Sequence, residues 1–149
     1  MSKNGLRLLA AAFLLVSCST QKAEATATPP ALEENWSVKM TLSGGIAGLL
    51  QTVEVQADGS YTVVDERAGT IIQGSLDDEK RTLLKALIEN LVVTTPKNPA
   101  VCADCFIYDI EIQNGGKRMI ANVDDLSVGE SGMGELVNFL QELINTALK

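Results

Sequence analysis

The sequence predicts an α+β domain: an antiparallel sheet built from hairpins, with two amphipathic helices packed on one face. Three observations carry this. Apolar residues alternate with polar ones at period two in both halves of the chain, the signature of half-buried strands. Asp58-Gly59 and Asn114-Gly115-Gly116 fall between such stretches, where tight hairpin turns are expected. Two other segments repeat apolar residues at helical spacing. Such a mixture of hairpins and helices favours helices segregated to one side of a sheet.

Trp36, Val38, Met40 and Leu42 alternate with Ser37, Lys39 and Thr41, which opens the domain with a strand. Val53, Val55 and Ala57 continue the pattern in a second strand that ends at Asp58-Gly59. Tyr61 and Val63 belong to a third strand, and Thr70 to Gln73 form a short fourth. Ser75 ahead of Leu76-Asp77-Asp78 resembles a capping box at a helix start. Leu83, Leu84, Leu87, Ile88 and Leu91 share one face of that helix, and Asp77, Asp78 and Glu79 suit its positive N-terminal end. Pro96 and Pro99 mark a loop. Phe106, Tyr108, Ile110 and Ile112 alternate through a strand that turns at Asn114-Gly115-Gly116 into Lys117 to Val123. A loop containing Gly129, Gly132 and Gly134 then leads into a helix striped by Leu136, Val137, Leu140, Leu143, Ile144 and Ala147.

The chain begins with Lys3 and Arg7, followed by nine apolar residues, Leu8 to Val16. This is the basic, apolar, small-residue layout of a secretory signal. As a helix it spans about 14 Å, half a bilayer core, too short for a transmembrane anchor. Leu15-Val16-Ser17-Cys18 resembles the lipobox of bacterial lipoproteins. The resemblance implies a diacylglyceryl thioether on Cys18, residues 1–17 removed as signal peptide, and a lipid-anchored extracytoplasmic protein. Ser19 implies the outer membrane in a cell that has two. Residues 18–34, rich in Thr, Ala, Glu and Pro, are expected to be a flexible tether, with the domain spanning residues 35–149.

Without residues 1–17 the chain keeps 10 basic and 19 acidic residues, a formal charge of −9. That argues against a nucleic-acid groove, which needs clustered positive charge. The chain has no histidine, which removes Ser-His-Asp and Cys-His catalysis and every histidine-containing metal site. Cys102 and Cys105 have redox or half-zinc spacing, but two thiolates without a second pair make a poor zinc site. In an exported protein they are expected to form a disulfide, which requires a turn because residues three apart in a strand lie roughly 10 Å apart. The alternative is a thiol oxidoreductase, although a strand rather than a helix follows the pair. Asp77-Asp78 and Asp124-Asp125 are expected to be caps and turns, so no enzymatic activity, cofactor or metal is anticipated.

Between the first two strands lies Ser43-Gly44-Gly45-Ile46-Ala47-Gly48-Leu49-Leu50. Three glycines exceed what a short hairpin needs. They serve either a tight turn or a backbone presented to a partner, since a residue without Cβ lets another chain approach closely. Together with the leucine-rich helix Leu76 to Leu91, the stretch Asp104-Cys105-Phe106-Ile107-Tyr108, the Gly115-Gly116 hairpin and the apolar C-terminal helix, this loop resembles the emfourin family of bacterial protease inhibitors. The likeness covers nearly all of residues 35–149, to which the lipid anchor, the cysteine pair and the Asp58-Gly59 hairpin are additions. It implies an inhibitor of thermolysin-like metalloproteases that enters the active-site cleft through Gly44, Gly45, Ile46, Ala47, Gly48 and Leu49. Ile46 or Leu49 would fill an apolar pocket beside the scissile bond, and zinc would be met by a carbonyl or through water. A non-inhibitory envelope lipoprotein that binds a partner through its sheet is the competing expectation.

Overall fold

A computed structural model describes residues 31–94 and 102–149. The expected signal segment, Cys18, most of the expected tether, and Pro96 and Pro99 lie outside the described residues. The elements are β1 (Trp36–Gly44), β2 (Leu49–Gln56), β3 (Ser60–Asp65), β4 (Thr70–Ser75), α1 (Asp78–Glu89), β5 (Phe106–Asn114), β6 (Lys117–Asp124) and α2 (Gly134–Ala147). The six strands form one sheet in the order β4-β3-β2-β1-β5-β6, and every neighbouring pair is antiparallel. With its two helices the chain is an α+β domain.

Register explains the alternation. Ala121, Ile110, Met40, Val53, Val63 and Ile72 stand opposite one another in sequence across all six strands. Because side chains opposite one another share a face, this row and its neighbours carry every buried strand residue. Trp36, Val38 and Leu42 of β1 join the same cluster as Leu84 and Ile88 of α1 and Leu136, Leu140 and Ile144 of α2. The other face presents Lys39, Thr41, Thr52, Glu54, Asp109 and Glu111. There Arg118 of β6 donates through Nε and Nη2 to the Glu111 carboxylate at 2.6 and 2.5 Å, which holds Glu111 down to about 2.

Helix α1 departs from its expected start. The cap is Asp77, whose carboxylate accepts the Lys80 N–H at 2.8 Å. Ser75 cannot cap because it is still paired with Ser60 in the sheet. Of the five apolar residues read as one helix face, Leu84 and Ile88 are buried in α1 and Leu91 just beyond its end, while Leu83 lies at the rim, 50 % exposed. α2 has the expected stripe, with Leu136, Val137, Leu140, Leu143 and Ile144 buried.

The last tether residues touch the domain. The buried Asn114 accepts the Glu33 N–H through Oδ1 at 2.6 Å and donates from Nδ2 to the Ala31 carbonyl at 3.1 Å. Leu32 packs against the core. The chain therefore enters the sheet at the Trp36 end of β1, opposite the Gly44 end.

Met40 is fully buried at the centre of the row that crosses all six strands. Met40→Ala should lower unfolding free energy by about 2–5 kcal/mol, measured by urea denaturation followed by circular dichroism.

Candidate binding loop

At the far end of β1, Gly44 pairs with Leu49, which leaves residues 45–48 as the connection to β2. The Gly48 N–H donates to the Gly45 carbonyl at 2.9 Å, closing a turn. Two further contacts pin that turn to the domain. The Gly45 N–H donates to the Cys105 carbonyl at 3.2 Å, and Arg67 Nη1, from the β3–β4 turn, donates to the Gly48 carbonyl at 3.1 Å.

These contacts account for two of the glycines. Gly44 has φ +99° and Gly45 φ +67°, a region that residues with a Cβ rarely adopt. A Cβ on Gly44 would overlap the Cys105 carbonyl oxygen, and one on Gly45 would lie 2.5 Å from Cε1 of the Phe106 ring. The close approach that glycine permits is thus made here by the chain's own β5 entrance.

Cys102 and Cys105 stand at disulfide geometry, their Cα atoms 5.5 Å apart. Bends at Ala103 and Asp104 supply the turn that the pairing needs. The pair immediately precedes Phe106, so it fixes the carbonyl that holds the loop. From the opposite side, the Asp125 carboxylate accepts the Phe106 N–H at 2.9 Å and the Tyr108 hydroxyl at 2.7 Å. Gln141 of α2 donates to the same hydroxyl at 3.0 Å. Burial, reinforced by the Asp125 carboxylate, pushes the Tyr108 hydroxyl up to about 12.

Two further acids at this end serve turns. Asp124 accepts the Leu126 and Ser127 N–H groups at 3.0 and 2.8 Å and is held below the usual carboxylate range, chiefly by Ser127. Asp65 accepts from Gln51 Nε2 at 2.8 Å and from the Arg67 and Ala68 N–H groups, and is lowered first by Gln51.

The six residues expected to meet a protease thus occupy one hairpin, but they differ in what they offer. Gly44 and Gly45 face inward to β5, and Leu49 is half-buried in β2. Ile46 projects from the tip, 94 % exposed. Residue patterns did not reveal Arg67, Phe106, Asp125 or Gln141 as supports, since each acts from a different element. Among the described residues no group of three or more His, Cys, Asp or Glu gathers to hold a metal ion, and no helix is long and apolar enough to cross a membrane. The chain matches no protein-family model and no curated protein.

Gly44→Ala should cost about 1–3 kcal/mol in urea denaturation, because it combines a strained φ with overlap on Cys105. Gly69→Ala, where φ is +65° but the surrounding space is open, should cost less. Reducing Cys102–Cys105 with a dithiol should raise the amide exchange rate of Gly45 at least about tenfold, while Met40 in β1 keeps its protection. Hydrogen exchange resolved by NMR checks both.

Proposed function

We propose that the chain is a lipid-anchored extracytoplasmic inhibitor of thermolysin-like metalloproteases, which plugs the active-site cleft with the loop from Gly44 to Leu49. The observation that carries this reading is the near-complete exposure of Ile46 on a turn held from two sides. An apolar side chain kept in water at a fixed position gains roughly 1.5–3 kcal/mol when a pocket buries it. A loop already ordered by Cys105 and Arg67 loses little further conformational freedom on binding. Residues 45–48 turn back on themselves, so they enter as a tip with Ile46 foremost rather than as an extended, substrate-like strand. The protein acts by occupancy and needs no catalytic group of its own. We read both helices as covering one face of the sheet, leaving the loop end and the other face available to a partner.

The proposed anchor suits that geometry. Ala31 to Glu34 reach the domain at the Trp36 end of β1, and Ile46 stands beyond the other end, about 27 Å away by the rise of a strand. Cys18 precedes Ala31 by thirteen residues, a reach of at most about 45 Å. A lipid on Cys18 would therefore hold one end of the domain while the loop faces away from that attachment.

Ile46→Asp should leave the circular dichroism spectrum and unfolding midpoint unchanged, yet weaken inhibition of a thermolysin-type or protealysin-type enzyme at least tenfold, about 1.4 kcal/mol. A titration with a quenched peptide substrate measures this, and equal potency would remove the loop from the mechanism. Cys18→Ser should shift the protein from the membrane to the soluble fraction, and unchanged partition would end the anchoring claim.

A further inference from the structure

We propose that the docking surface does not stop at the Ile46 tip but continues down the helix-free face of the sheet, and that its partner offers an apolar patch rimmed by lysine and arginine. The inference rests on the inhibitor reading and specifies the chemistry of the surface that the inhibitor grips.

Exposed apolar residues are unevenly distributed. Of the eight large ones exposed among the described residues, Ile46, Leu50, Ile71, Ile107 and Leu126 all lie at the loop end of the sheet. The register places three of them on one surface. Asp124, Ile107, Ser43 and Leu50 form one row across β6, β5, β1 and β2. The next row runs Asn122, Asp109, Thr41, Thr52, Val64 and Ile71 across the whole sheet. Every residue in these two rows lies on the face opposite the buried cluster. Ile71, Ile107 and Leu50 are 65 %, 38 % and 40 % exposed. From Ile71 on β4 to Ile107 on β5 is four strand spacings, about 19 Å, a span suited to a specific protein interface.

Charge at this end decides what kind of protein fits. Asp65, Glu66, Asp104, Asp109, Asp124 and Asp125 are gathered around these rows and loops, against Arg67 as the one base there among the described residues. Arg67 is itself turned to the Gly48 carbonyl. An apolar surface ringed by carboxylates repels an acidic partner and steers a basic-rimmed one, with an effect that salt screens.

The test uses the full chain in detergent micelles, titrated against the same protease panel. Expected are an inhibition constant at least about tenfold weaker for Ile71→Lys/Ile107→Lys and a wild-type constant about fivefold weaker at 0.5 M than at 0.05 M NaCl. Asp104→Lys should weaken binding at low salt and flatten the salt dependence. Leu83→Lys, an exposed position on α1, should change nothing. Each variant is first checked for an unchanged unfolding midpoint. If wild type inhibits and Ile46→Asp destroys inhibition, but the double variant binds like wild type or salt has no effect, this extension is overturned and the loop reading stands. If wild type inhibits no enzyme of the panel, the loop reading falls and this inference falls with it.

Discussion

β1 is hydrogen-bonded along its length on both sides, to β2 through eight residue pairs and to β5 through nine, and the rest of the molecule is arranged around that constraint. A strand with two partners has no free edge, so its register is dictated twice, and a one-residue slip on either side would turn its apolar set out of the core. Its inward residues Trp36, Val38, Met40 and Leu42 are all buried. The same doubled pairing carries the backbone to Gly44, where it meets the entrance of β5. The position of the exposed loop follows from how β1 ends.

That ending explains why glycine is required at two successive positions. Between Gly44 and Gly45 the chain must leave a ladder crowded by the Cys105 carbonyl and the Phe106 ring of the β5 entrance, with φ positive at both. The turn is therefore dense rather than loose. Loops rich in glycine are commonly entropically costly to order, but here the cost is met at folding by contacts from the β3–β4 turn and the β5 entrance, the latter braced by the Asp125–Tyr108–Gln141 chain. Both contacts come from segments distant in sequence, so the loop's stiffness is a tertiary property.

This also marks where the sequence was legible. Strands were readable because one face is buried and the other is not: Val38, Met40, Val53, Val55, Ile110 and Ile112 report the period directly. The helices were readable from their stripes, with an error at Ser75. There, pairing with Ser60 across the sheet outweighed the local capping pattern, and Asp77 offered a carboxylate at the proper spacing. At the loop, composition identified the position of the hairpin but left the use of its glycines open. Their nearest neighbours, Cys105 and Phe106, lie some sixty residues away, and no local period encodes that contact. The inward turn of Gly44 and the outward projection of Ile46 became distinguishable only with the register of β1 against β5.

The distribution of apolar surface gives that loop end its meaning. An isoleucine left in water is tolerated singly, but five large exposed apolar residues at one end of a sheet, three of them on one face, are a concentration of the kind that marks interaction sites. The carboxylates around it answer the attendant hazard. On the proposed reading they would also oppose association of two copies through the patch, because it would bring six acids against six. The same charges would, on that reading, select among other proteins by sign before any close contact forms. In the proposed inhibitor, rigid backbone, exposed Ile46 and an acidic border would act at different distances: charge during approach, the sheet face during docking, and the pinned tip once the two surfaces are in register.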